Sequence, residues 1–138
     1  MHLKLFDTSF LIDLVSGDEG AKRKAEEVDA EEIFKAISTI TAHEYLRGVY
    51  YIYSHNKSLL ISKLRRAEAE LARFEILSYT YEIAKAAAEI DATLTRKGQS
   101  ISLSDVILAA TALYYKLTLV TRDTEHFKRI LNLKIETY

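Results

Sequence analysis

Four acids in this chain stand where a carboxylate can do chemistry. Asp7 ends the run Leu3-Lys4-Leu5-Phe6 and is followed by Thr8 and Ser9, while Asp123 comes two residues after the apolar stretch that ends at Thr121. Glu44 and Asp105 each lie three residues after a hydroxyl, Thr41 and Ser102. Every one of these positions has a local explanation. An aspartate just before a helix accepts backbone N–H bonds as an N-cap, and an acid at the third helical residue completes a capping box and favours the helix dipole. A second explanation is collective. Residues that follow the strands of a parallel sheet gather at its carboxyl edge, where open α/β folds bind ligands. Carboxylates gathered there repel one another and resist burial. A divalent cation removes the conflict, and an all-oxygen donor set suits Mg²⁺ or Mn²⁺ rather than zinc. Such a site activates water and neutralises charge on a phosphodiester. Thr8, Ser9 and Thr121 lie close enough in sequence to hold that water or a phosphate oxygen, although each hydroxyl also suits a local turn or cap.

For the acids to meet, strands must end beside them, and the hydrophobic pattern supplies such strands. Leu3 to Phe6 reads as a short buried strand, after which Phe10, Leu11, Leu14 and Val15 have helical spacing. Asp18 to Val28 is a charged helix expected at the surface. Ile33 to Ile40 reads as a second strand, and Thr41 to Ile52 as a helix opened by the capping box Thr41-Ala42-His43-Glu44. Lys57 to Arg73 is rich in helix formers, with Leu60, Leu64, Ala67 and Leu71 on one face, and is expected to pair with the helix before it. Phe74 to Leu77 is a brief third strand, and Tyr81 to Lys97 a helix stopped by Gly98. Ser102 to Asp105 opens a helix whose Val106 to Tyr115 is apolar or small on almost every side, which places it in the middle of the protein. Leu117 to Thr121 is the plainest strand; a short helix with Phe127 and Ile130 and a last strand, Leu133 to Glu136, complete the chain. Strands alternating with helices predict an α/β fold with a mainly parallel central sheet flanked by helices, built as one domain over residues 1–138.

Composition narrows the functions open to such a fold. The chain has no cysteine, which excludes disulfides and thiolate zinc sites. No apolar run reaches the roughly 20 residues that span a bilayer, so a soluble, cytoplasmic protein with no membrane partner is expected. With 19 basic and 20 acidic residues, no overall field draws nucleic acid, and an RNA contact must come from a local or dimeric arrangement. A haloacid-dehalogenase phosphatase needs a second aspartate where Ser9 stands, and a receiver domain needs adjacent early acids and a late lysine that are not evident. His43-Glu44 lacks the second histidine of a zinc protease, because Arg47 stands there. Neither a phosphate-cradling glycine loop nor a serine-hydrolase elbow is found. His2, His43, His55 and His126 are scattered and are not expected to bind metal. Lys57, Lys63, Arg65, Arg66 and Arg73 are interleaved with or followed by Glu68, Glu70 and Glu75 and read as a solvated helix face rather than an RNA track. Tyr45, Tyr50, Tyr51 and Tyr53 on one helix suit a protein interface first, core packing next, and base stacking as a third use.

Taken in order, Asp7-Thr8-Ser9, Thr41 through Gly48, Gly98 through Ile101 to Asp105 with Ala109-Ala110, and Thr121-Arg122-Asp123 with Phe127 resemble the signature of PIN-domain nucleases. Within them the likeness is to VapC-type toxins of prokaryotic toxin–antitoxin pairs, and it spans nearly the whole chain. The resemblance implies a PIN-like three-layer α/β/α fold and a Mg²⁺- or Mn²⁺-dependent endoribonuclease whose acidic site is Asp7, Glu44, Asp105 and Asp123. Asp7 and Asp105 are the expected direct metal ligands, and Ser9 and Thr121 the hydroxyls expected to assist. It also implies a homodimer, held inactive by a VapB-type antitoxin whose C-terminal segment occupies the groove beside the active site. Lys57 to Arg73 matches no family motif. Two alternatives stay open: a non-catalytic PIN-like module acting through protein partners, and a PIN nuclease with a housekeeping role in RNA processing.

Overall fold

The structure is a computed structural model that describes residues 3–138; Met1 and His2 lie outside the described residues. Five strands, β1 (Leu3–Phe6), β2 (Phe34–Ser38), β3 (Glu75–Leu77), β4 (Thr118–Val120) and β5 (Ile135–Glu136), form one sheet in the order β3-β2-β1-β4-β5. Every pairing is parallel. The helices are α1 (Thr8–Val15), α2 (Glu19–Ala30), α3 (Thr39–Tyr53), α4 (Lys57–Leu71), α5 (Tyr81–Arg96), α6 (Leu103–Tyr115) and the single turn α7 (Thr124–Phe127).

Strand side chains alternate between faces, and here both faces are apolar because both are covered. Leu5, Ala36 and Leu119 pack with Leu94 of α5 and with Leu108, Ala109 and Ala112 of α6. Their neighbours Phe6, Ile37 and Val120 point the other way, into Phe10 and Leu11 of α1, Ala21 and Val28 of α2, and Leu71 of α4. The result is three layers, with each fully buried Leu or Phe of β1 contributing about 1.5–3 kcal/mol. The sustained apolarity of α6 follows from its place against the sheet: Val106 through Ala112 are all buried.

The strand order also fixes where a ligand can sit. From β1 the sheet grows to β2 and β3 on one side and to β4 and β5 on the other, so β1 and β4 flank a topological switch point, the usual ligand crevice of open α/β folds. The register Phe6↔Val120 brings Asp7 and Thr121 side by side at that crevice, and the Asp7 amide donates to the Val120 carbonyl at 3.3 Å.

Several local expectations are corrected. The second strand ends at Ser38, whose hydroxyl accepts the Ile40 amide at 3.1 Å and caps α3. Thr41 is therefore inside the helix, fully buried, with its hydroxyl unpartnered, and no capping box joins it to Glu44. Glu44 lies in the second helical turn instead of the first. The charged helix α2 is not purely a surface element, since Ala21, Lys24 and Val28 are buried. The last strand is shortened to Ile135–Glu136, and Ile130 falls beyond α7. By contrast, Gly98 does stop α5: it has φ +68, and the next amide, Gln99, returns to the Leu94 carbonyl at 2.9 Å.

Candidate active site

Asp7 is both cap and wall of the crevice. Its Oδ1 accepts the Phe10 amide at 2.9 Å, which starts α1 one residue after β1 ends. Its Oδ2 accepts the Thr121 hydroxyl at 2.5 Å, and that Thr121 oxygen in turn accepts the Asp123 amide at 3.0 Å. Through Thr121 the ends of β1 and β4 are pinned to each other. Asp123 caps α7, taking the His126 amide on Oδ1 at 3.3 Å. Asp105 occupies the third helical position of α6, where its amide donates to the Ser102 hydroxyl at 3.2 Å, as the sequence pattern predicts. Glu44 reaches the crevice from α3, and its Oε1 accepts the Thr8 hydroxyl at 2.7 Å.

Among the described residues, Asp105 and Asp123 bring carboxylate oxygens within 4.8 Å of each other; Asp7 and Glu44 stand outside that cluster and influence it by charge. Burial pushes the Asp7 carboxyl above the usual range; the hydrogen bonds from Thr121 and Phe10 oppose this, and the charges of Asp105 and Asp13 add to it. Burial likewise pushes Asp105 up, with Asp123 and Glu44 raising it further while Ser102 and His126 pull the other way. Asp105 thus feels the charge of Glu44 and Asp123 and imposes its own on Asp7. Carboxylates crowded and partly buried in this way are a poor arrangement for the bare protein and a good one for a divalent cation. The donor set therefore fits a hard metal ion.

Not every expected residue enters this network. Ser9 is exposed on the first turn of α1, and no side-chain hydrogen bond ties it to the acids among the described residues. Thr121 is committed to Asp7 and the Asp123 amide. Conversely, His126, which the sequence reading sets aside, lies in the group: one atom each of Asp105, Asp123 and His126 fall within 4.8 Å of one another. The signal was the spacing Asp123-x-x-His126 on a predicted helix start. Beside Glu44, a groove of about 340 Å³ runs between α1, α3 and α4, with Ile12, Tyr45, Val49 and Tyr53 among its walls and Lys63 and Arg66 of α4 at its side. Lys63 also stands over the Tyr53 ring.

A family model for the PIN domain matches residues 4–132. The chain belongs to the PIN-domain family. Among its relatives, ribonuclease VapC1 of Methanocaldococcus jannaschii is 31% identical over 134 residues, covering 97% of this chain and 85% of that protein. The tRNA(fMet)-specific endonuclease VapC of Salmonella typhimurium is 29% identical over 102 residues, 74% of each chain. The crystal structure of VapBC2 from Rickettsia felis, bound to a DNA fragment from its promoter, contains a chain that superposes with a TM-score of 0.83 at 28% identity, over 99% of this chain and 98% of that one. In this PIN domain the four acids come from the β1–α1 junction, α3, α6 and the β4–α7 turn, four separate places in the fold. No helix among the described residues is long and apolar enough to cross a membrane.

Proposed function

We propose that this PIN domain is a Mg²⁺- or Mn²⁺-dependent endoribonuclease and the toxin of a type II toxin–antitoxin pair, with Asp7, Glu44, Asp105 and Asp123 as its acidic site. The observation that carries the reading is the gathering of acids at the β1/β4 switch point: Asp105 and Asp123 have carboxylate oxygens within 4.8 Å of each other, and buried Asp7 is joined to the Asp123 amide through the Thr121 hydroxyl. The similarity to VapC ribonucleases supports RNA as substrate. Asp7, Asp105 and Asp123 would hold the cation, which when bound neutralises phosphate charge and activates water for in-line attack.

The remaining steps belong to the chain. The Phe10 amide and Thr121 hydroxyl hold both oxygens of Asp7, so its carboxylate is oriented before substrate arrives. Thr8 fixes Oε1 of Glu44 and leaves Oε2 to accept a proton from the attacking water. Thr121 acts through Asp7 and the Asp123 amide as a positioning residue, and Ser9, being exposed, is available to a substrate phosphate. A VapB-type antitoxin is the expected partner, with its C-terminal segment in the groove beside Glu44, and the exposed Tyr50, Tyr51 and Ile52 of α3 support a protein interface there. A homodimer accords with the near-neutral charge, since two copies can build a longer RNA track than one.

The test is cleavage of single-stranded RNA by the purified chain free of antitoxin. Cutting with Mg²⁺ or Mn²⁺, its loss in a chelator, and its absence in Asp7→Asn and Asp105→Asn are expected. Equal cleavage by wild type and both variants would point to a contaminating nuclease and remove the assignment. Unimpaired growth on expression, with cleavage intact, would remove the toxin role and leave the nuclease.

A further inference from the structure

His126 owes its position to the brevity of α7. A single helical turn capped by Asp123 returns residue i+3 to the side of its cap, so the imidazole lies against the Asp123 carboxylate with Nδ1 2.6 Å from Oδ2. The same Nδ1 is 4.0 Å from Oδ2 of Asp105, which comes from a different element. Ligands about 2.1 Å from a six-coordinate ion lie about 3 Å apart when adjacent and about 4.2 Å apart when opposite. The 4.0 Å separation is close to the second value, while the 2.6 Å contact is shorter than the first and is a hydrogen bond that a cation would replace. The ring is otherwise uncommitted: its side chain is 46% exposed, and Asp105 and Asp123 are the acids within 4.0 Å of it among the described residues.

We infer that His126 supplies a nitrogen ligand to the cation shared by Asp105 and Asp123, and that the resulting oxygen–nitrogen donor set favours Mn²⁺ over Mg²⁺. The inference rests on the metal-dependent reading above and adds to it a preference between ions. Nδ1 is the ring nitrogen nearest both carboxylates, and it ligates through its lone pair where the ring proton sits on Nε2. Mg²⁺ accepts oxygen donors and dehydrates reluctantly, whereas imidazole nitrogen suits transition ions. Mn²⁺ combines that tolerance of nitrogen with a liking for carboxylates. A pure carboxylate crevice has no comparable reason to prefer it.

The alternative is that His126 only orients Asp123 through a hydrogen bond, in the manner of groups outside the coordination sphere. Electron paramagnetic resonance of Mn²⁺ titrated into the full chain separates the two. Loss of the free-ion signal reports binding, and electron spin-echo modulation reports ¹⁴N coupled to the bound ion. The wild type is expected to show imidazole ¹⁴N modulation. In His126→Gln, which keeps a hydrogen-bond donor near Asp123, Mn²⁺ still binds but the modulation is gone. Mn²⁺ affinity in that variant falls about tenfold, while competing Mg²⁺ is little affected. Bound Mn²⁺ without ¹⁴N modulation in the wild type, or modulation that persists in His126→Gln, overturns the inference and leaves the metal-dependent nuclease standing. Failure of Mn²⁺ to bind the wild type at all overturns both.

Discussion

Asp7 serves two ends that conflict in the metal-free protein. Its oxygens cap α1 and tie β1 to β4, yet its burial, the dominant influence on its carboxyl, penalises the charge that a cation would need. Asparagine keeps the shape and a capping oxygen for the Phe10 amide and discards the charge, but it presents an amide NH₂ to Thr121 in place of an accepting oxygen. Asp7→Asn is therefore expected to abolish cleavage and, in chelator, to be more stable than the wild type by about 0.5–2 kcal/mol, read as a higher melting temperature. Calorimetry decides it, and a lower melting temperature would mean that the hydrogen bonds from Phe10 and Thr121 outweigh burial. Thr121 gives a second test at this scale. Thr121→Val strands an Asp7 oxygen and the Asp123 amide and should cost about 1–3 kcal/mol, whereas Thr121→Ser should restore most of the stability and the activity. Equal denaturation midpoints for valine and serine would show that the hydroxyl holds nothing. Asp7 and Asp123 stood out in the sequence because a cap position and a strand-end position coincide there, and Asp105 because it follows the cap Ser102 by three residues. The part played by His126 was not, since its ring meets Asp105 only once α7 closes as a single turn against α6.

Among the elements, the two helical glycines separate propensity from packing. Gly48 lies inside α3 with nothing within 4 Å of an added Cβ, so Gly48→Ala should stabilise the protein by roughly 0.5–1 kcal/mol from helix propensity. Gly20, in α2, has no such room: an added Cβ would stand 2.9 Å from Nη2 of Arg122 and 3.2 Å from the Tyr138 carbonyl carbon. That crowding comes from a junction in which Arg122 pairs with Asp18 and lies over the Tyr138 ring, while the Tyr138 hydroxyl donates to Asp13 at 2.7 Å. Gly20→Ala should lower the melting temperature despite the gain in propensity, and a rise equal to that of Gly48→Ala would show that the junction yields freely. Element type was readable from periodicity throughout, whereas element limits depended on contacts. Thr39 and Ile40 have strand-like composition, but Ser38 supplies the cap and tertiary packing carries them into α3. Likewise α2 looks wholly solvated until Lys24 is seen to be buried against the end of the chain.

For the molecule as a whole, alternation of strands and helices was enough to predict a parallel sheet, and the pairing of β1 with β4 brings Asp7 and Asp123 to one edge, whereas Glu44 and Asp105 depend on how α3 and α6 pack. What the sequence could not disclose is how the sheet is fastened at its far side, because the groups concerned are 132 positions apart. Lys4 of β1 and Lys24 of α2 both donate to Oε1 of Glu136 on β5, at 2.7 and 2.6 Å, so one carboxylate joins the first strand, the last strand and the helix layer above them. Both lysines are nearly inaccessible, with side chains 7% and 10% exposed, against 32% for Glu136. Burial pushes the Glu136 carboxyl up, but the hydrogen bonds from Lys24 and Lys4 outweigh it and hold it below the usual range. A carboxylate depressed in the fold stabilises fully above its unfolded pKa, about 4.3, and loses that contribution as pH falls through the lower folded value. Glu136→Gln should thus be less stable than the wild type at pH 7 by about 1–3 kcal/mol, less than for a fully buried pair because Glu136 is partly solvated. The gap should narrow below about pH 4, where the wild-type carboxylate is itself being protonated. Urea unfolding of both proteins at neutral pH and near pH 3 measures it, and subtracting the two curves removes every other carboxylate. A gap that stays constant to acid pH would mean that Glu136 fastens the sheet by packing and not by charge.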